Sequence, residues 1–191
     1  MTLPRLLVLT DRTRCPGGDL LSTVDKAVAA GARAVVLREK DLPGDERRRL
    51  ADAVHALLAP AGGLLIVAGT ALPASQMHLA VRDAVPTPRP ALLGRSCHDA
   101  GELRRAAAEL CDYVTLSPVF ASPSKPGYGP ALGLATLDAL VTAGVPAVYA
   151  LGGVRPEDVA GCLDAGARGV AVMGAVMRDP AIVSDYLGAI P

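Results

Sequence analysis

Tryptophan is absent from this 191-residue chain, and Phe120 is its only phenylalanine. The apolar fraction is still 51%, enough for a sizeable core, so that core has to be built from Ala, Val, Leu and Ile. An excess of charge of either sign is also missing, with 19 Lys+Arg against 19 Asp+Glu. That balance argues against a nucleic-acid or anionic-membrane partner, which would call for a basic surface. No apolar run approaches the roughly 20 residues of a membrane span. Met1 to Asp11 carries one early Arg and then strand-like residues, without the long apolar region and small-residue cleavage site of a signal peptide. Cysteine is scarce. Cys15, Cys97, Cys111 and Cys162 form no CxxC pair, which disfavours a zinc site or redox motif. Cys111 and Cys162 read as buried thiols, and Cys97 as a packed thiol rather than a nucleophile. The pattern fits a reducing, cytoplasmic setting. Low-complexity tracts, linkers and charge runs are lacking too, so residues 1–191 read as a single domain. The composition leaves a homodimer open.

What the chain does have is alternation. Short β-branched runs at Leu6–Thr10, Ala34–Arg38, Leu64–Val67, Met77–Leu79, Leu92–Ser96, Tyr113–Leu116, Ala147–Leu151 and Gly169–Met173 read as eight strands. Amphipathic runs at Leu20–Ala30, Asp45–Leu58, Asp99–Leu110, Leu134–Thr142, Arg155–Ala165 and Pro180–Gly188 read as helices between or after them, with Asp99 as an N-cap. Repeated strand–helix units imply parallel pairing. A doubly wound sheet competes, but eight units with nearly continuous apolar strands predict a closed (β/α)₈ TIM barrel. The barrel is small for its class, which typically needs about 250 residues. The shortfall is expected between the third and fourth strands, where Pro73 interrupts a connection too short for a full helix.

Chemistry-bearing residues fall at the ends of the predicted strands. Gly152-Gly153 and Gly174 follow the last two, where barrels of this class often bind phosphate through backbone N–H groups; two tight turns are the plain structural alternative. Arg38 and Lys40 share one side of the second strand's end, as a pair of cations for a phosphate or pyrophosphate requires, although a solvated loop would look the same. Ser96-Cys97-His98 ends the fifth strand. Ser96 is a candidate ligand contact and His98 a candidate general acid or base, against a role for His98 at the helix start. His78 reads as lining the barrel floor and His55 as a surface residue. The Pro/Ser-rich segment after the sixth strand offers Ser122, Ser124 and Lys125 as donors on a loop able to close over a ligand.

Taken in order, Thr10-Asp11, Leu37-Arg38-Glu39-Lys40, Gly94-Arg95-Ser96-Cys97-His98, Ser117 to Lys125, Leu151-Gly152-Gly153-Val154 and Gly169 to Met173 resemble the thiamin phosphate synthase/TenI family over nearly the whole chain. The resemblance implies a (β/α)₈ barrel of thiamin biosynthesis that binds a phosphorylated thiazole, with Met173 among the residues around it. Two branches are implied. Synthases couple hydroxymethylpyrimidine pyrophosphate to thiazole phosphate with Mg²⁺ and release pyrophosphate. TenI-type tautomerases aromatise carboxythiazole phosphate, with the histidine of the Ser-x-His segment, here His98, as acid and base. The chain departs from the synthase pattern at Val36, where synthases carry Gln. It departs again at Ala68-Gly69, where they carry an Asn-Asp pair that serves the pyrimidine and Mg²⁺, and at the helix that should follow. Asp83 aligns with the second Mg²⁺ carboxylate, which alone makes a poor site for a cation that prefers several hard oxygens. The leading expectation is therefore a cofactor-free thiazole tautomerase, followed by a divergent Mg²⁺-dependent synthase. A non-catalytic binding or regulatory protein on the same scaffold is the third reading.

Overall fold

Period-2 patterning on both faces of every strand needs two apolar layers, one inside the sheet and one outside it. The computed structural model, which describes residues 3–121 and 130–191, shows how the chain supplies them. Strands β1 (Leu6–Leu9), β2 (Ala34–Leu37), β3 (Leu64–Ala68), β4 (Gln76–Leu79), β5 (Leu92–Cys97), β6 (Tyr113–Leu116), β7 (Ala147–Leu151) and β8 (Gly169–Val172) pair in parallel, each with the next. The barrel closes where Leu6 of β1 stands opposite Val170 of β8. Leu7, Val36, Ile66, Tyr113, Tyr149 and Ala171 point inward and fill the lumen. Val8, Val35, Leu37, Val114 and Val170 point outward into a continuous layer beneath the helices. The bulk that phenylalanine and tryptophan would supply comes from Tyr113 and Tyr149, which meet edge to face in the lumen with ring centroids 5.7 Å apart.

Helices α1 (Leu20–Ala29), α2 (Gly44–Leu58), α3 (Ala100–Ala108), α4 (Gly133–Leu140) and α5 (Val159–Asp164) follow β1, β2, β5, β6 and β7. Asp99 caps α3 as expected, accepting from the Glu102 N–H at 2.8 Å. After β8 come α6 (Gly174–Arg178) and α7 (Val183–Gly188). The first of these, five residues long, carries too little periodicity to be read from sequence.

The shortening extends further than the sequence reading placed it. Residues 69–75 contain no helix, and neither do residues 80–91, so both β4 connections run as loops. Pro86, Pro88 and Pro90 explain the second, because each removes a backbone donor and obstructs the preceding turn. Arg95, 1% exposed, takes over the missing helix's task of holding this edge. Its Nη1 donates to the carbonyls of Ala80 (2.8 Å) and Val81 (3.0 Å), and its Nη2 to that of Asp83 (2.9 Å). Nη2 also pairs with Glu109, just past α3, at 2.6 Å.

All four cysteines are free and buried. Burial pushes the Cys97 thiol up to about 12, so it stays protonated and packs as expected, without nucleophilic character. Among the described residues no helix is long and apolar enough to cross a membrane.

Candidate active site

A cavity of about 1450 Å³ opens at the C-terminal ends of the strands, where barrels of this class hold their reacting groups. Inward alternation brings Arg38, His78, Ser96, His98 and Ser117 to it from β2, β4, β5 and β6. Gly152, Gly153, Met173 and Gly174 border it from the ends of β7 and β8, and Lys40 joins from the loop after β2. Of the site residues expected from sequence, Ser122, Ser124 and Lys125 lie outside the described residues. Asp83 is not among the residues lining this cavity. His55 is exposed on α2, as expected.

The β1–β2 corner fixes the two cations. Glu39 is 4% exposed. Its carboxylate accepts from the Thr10 hydroxyl (2.5 Å) and from the backbone N–H groups of Arg12 (2.9 Å) and Arg38 (3.1 Å). A carboxylate with three donors is well compensated for burial. By tying both loops together it sends Arg38 and Lys40 out on either side of itself. Arg38 Nη1 reaches across the mouth to the Met173 sulfur at 2.6 Å. At the rim, Arg12 and Asp41 form a bidentate pair at 2.8 and 2.7 Å, which holds the Asp41 carboxyl below its usual range. Glu39 and Thr10 were given no role from sequence. The available signal was an acid wedged between two cations at a strand end, one residue out of phase with both.

His98 begins the turn into α3. Its backbone N–H donates to Glu102 Oε2 at 2.6 Å, and its ring Nδ1 lies 2.6 Å from the Ser117 carbonyl. A carbonyl only accepts, so Nδ1 carries a proton, and in the neutral ring Nε2 is the basic nitrogen. The ring is thereby held by β6 while it borders the cavity.

Gly152 and Gly153 both have positive φ, at 94° and 68°. The structure gives a near reason for glycine here. A Cβ on Gly153 would sit 2.5 Å from the Ala121 carbonyl oxygen and 2.8 Å from Phe120, because the two loops are laced together. Val119 N–H donates to Leu151 and Phe120 N–H to Gly152, each at 2.9 Å. The Gly-Gly turn therefore carries the start of the loop after β6 on its back.

The Asn-Asp positions of the synthase pattern are Ala68 and Gly69. A Cβ on Gly69 would lie 3.2 Å from Lys40 Cε and 3.4 Å from its Nζ, so an ammonium stem packs where the carboxylate would project. Asp83, the second implied ligand, spends one oxygen on the Ala80 N–H at 2.8 Å and supports the turn after β4. Among the described residues no three His, Cys, Asp or Glu side chains come together. A hard divalent cation needs several oxygen donors, and this donor set does not fit Mg²⁺.

A closed parallel barrel with two cations, an oriented imidazole and glycine turns at one end defines a class: (β/α)₈ enzymes acting on small phosphorylated molecules. Comparison with known proteins narrows the class. The family profile described as thiamine monophosphate synthase, TMP-TENI, matches residues 6–176. A putative thiamine-phosphate synthase of Geobacter sulfurreducens is 36% identical, covering 92% of this chain and 87% of its own length. A thiamine-phosphate synthase of Methanoculleus marisnigri is 38% identical, covering 91% and 88%. The solved structure of a thiamine phosphate pyrophosphorylase from Pyrococcus furiosus shares the fold, with a TM-score of 0.82 at 24% identity over 97% of this chain and 94% of that one. The chain belongs to the thiamine monophosphate synthase/TenI family.

Proposed function

We propose that this protein is a thiamin-biosynthesis enzyme of the tautomerase branch, converting carboxythiazole phosphate into its aromatic tautomer without metal. The observation that carries this reading is the pairing of a lost metal half with a retained acid–base half. Lys40 packs against Gly69 where a metal carboxylate would stand, while His98 keeps a fixed tautomer at the cavity. Isomerisation needs no second substrate. One proton leaves a ring position to His98 Nε2 and the same imidazolium returns a proton at another, so atoms and charge balance over the cycle. The N–H groups of Gly152, Gly153 and Gly174 take the phosphate, and Arg38 and Lys40 supply positive charge at the mouth for the anionic substrate. Met173, against Arg38, keeps that guanidinium turned over the mouth. The site has no role for nucleic acid or membrane.

Gly153→Val should weaken binding of thiazole phosphate by about 10–100-fold, the size of one or two lost hydrogen bonds to a charged group. Its branched side chain collides with residues 120–121 and so displaces the turn whose N–H groups face the anion. Titration by calorimetry, with circular dichroism to confirm the fold, measures this. Unchanged affinity would remove the phosphate from this turn.

The synthase reading makes the opposite demand on metal. Incubated with hydroxymethylpyrimidine pyrophosphate and thiazole phosphate, the native protein should form thiamin phosphate no faster with Mg²⁺ than with chelator. Ala68→Asn/Gly69→Asp should gain Mg²⁺ affinity and displace Lys40, and its aromatisation rate should fall. Rapid Mg²⁺-dependent coupling by the native chain would move it to the synthase branch.

A further inference from the structure

The sequence pattern places His78 only on the barrel floor, yet it is the centre of a buried chain of polar groups that ends in the cavity. Its Nδ1 lies 3.0 Å from the Tyr113 hydroxyl and its Nε2 lies 3.0 Å from the Ser96 hydroxyl. The sheet register builds this chain. His78 of β4 stands opposite Gly94 of β5, and Gly94 stands opposite Tyr113 of β6. A Cβ at Gly94 would overlap the Tyr113 ring at Cζ, Cε1 and Oη. The missing side chain is the notch through which the tyrosine reaches across a whole strand to the histidine. Two residues further along β5, Ser96 carries the chain to the cavity wall.

Proton bookkeeping gives the chain a direction. Tyr113 is fully buried, and its hydroxyl has no second hydrogen-bond partner among the described residues. Its proton therefore belongs to His78 Nδ1, because a buried hydroxyl left without an acceptor would cost about 1–3 kcal/mol. Nδ1 then accepts, Nε2 carries the ring proton, and Nε2–H donates to Ser96 Oγ. The imidazole stays neutral. Burial and the nearby charges of Lys40, Arg38 and Arg95 lower its pKa to about 3. With its oxygen already accepting from His78, the Ser96 hydroxyl proton is turned into the cavity.

We infer that Tyr113 and His78 are positioning residues that fix Ser96 as a hydrogen-bond donor, and that the substrate presents an acceptor oxygen to it. On the tautomerase reading, on which this last step rests, the acceptor is the thiazole carboxylate. The anionic substrate is then held at two ends, its phosphate by the glycine turns and its carboxylate by Ser96. A ligand offering an N–H at that point is rejected, since two donors would face each other.

The first test needs no variant and no turnover. ¹⁵N spectra of the histidine rings of the full-length protein should show His78 protonated at Nε2 and bare at Nδ1 near neutral pH. The reverse tautomer would overturn the inference whatever reaction the enzyme catalyses. The second test compares two probes, the aromatic carboxythiazole phosphate and thiazole phosphate, which lacks the carboxylate. Ser96→Ala and Tyr113→Phe should each weaken the carboxylated probe by about tenfold, as loss of a hydrogen bond to a charged group does, and leave the other unchanged. Together they should cost little more than either alone, because both act through one hydroxyl. Equal weakening of both probes would overturn the assignment of the carboxylate to Ser96. Additive losses would show that Tyr113 acts elsewhere.

Discussion

His98→Ala should lower the rate of thiazole aromatisation by about 10²–10⁴-fold while leaving substrate affinity nearly unchanged. The reason is geometric. The Ser117 carbonyl, 2.6 Å from Nδ1, anchors the ring through that nitrogen, which makes Nε2 the position for proton exchange with the substrate. The imidazole can then take the proton and return it. The competing structural role is modest in energy. Loss of the ring removes its hydrogen bond to the Ser117 carbonyl, worth about 1 kcal/mol, while the backbone bond from His98 N–H to Glu102 survives the substitution. Steady-state kinetics beside thermal unfolding separates the two roles. A variant with native turnover and reduced stability would leave His98 as a helix-start residue and the reaction without its base.

Arg95→Leu should destabilise the fold by about 3 kcal/mol or more, the size of two or three lost hydrogen bonds from a buried charged group. For a domain of this size that corresponds to a fall in Tm of at least roughly 6–12 °C. The carbonyl of Asp83 would lose the guanidinium donor, those of Ala80 and Val81 would keep only the Asp83 N–H and Arg105, and Glu109 would be left with Arg105 as its one cationic partner. These residues stand where a helix is missing, and besides Arg95 only Arg105 of α3 donates a side-chain hydrogen bond to them among the described residues. Arg95→Lys should recover only part of the loss, since one ammonium cannot reach both branches of the network. A Tm change under about 2 °C for Arg95→Leu would show that the loop after β4 supports itself.

Much of this architecture is legible in the sequence because alternation and turn chemistry agree. Most strands read as short apolar runs rich in Val, Ile or Leu, and even β4 is visible around Met77-His78-Leu79. The strand ends then locate Arg38, Ser96, His98 and the Gly-Gly turn at one mouth. What escapes the sequence is long-range and polar. Glu39 is buried only because Thr10 and Arg12 arrive from β1, a pairing that no local pattern announces. Arg95 left a trace, since alternation sends it to the helix-facing side with Leu93 and Cys97, where a charge is out of place. The loss of the helix after β4 was also available from Pro86, Pro88 and Pro90. The Tyr113–His78–Ser96 chain depends on register between three strands, which sequence does not set residue by residue. The order of branches within the family is likewise a matter of single positions, Ala68 and Gly69 above all, rather than of fold.

One measurement bears most directly on the proposed chemistry. The pure protein is mixed with the non-aromatic tautomer of carboxythiazole phosphate in the presence of excess chelator, and aromatisation of the ring is followed by proton NMR. The account predicts catalysed conversion at a rate that Mg²⁺ does not raise and that His98→Ala nearly abolishes. Conversion no faster than in buffer alone, together with rapid Mg²⁺-dependent formation of thiamin phosphate from the two synthase substrates, would contradict it.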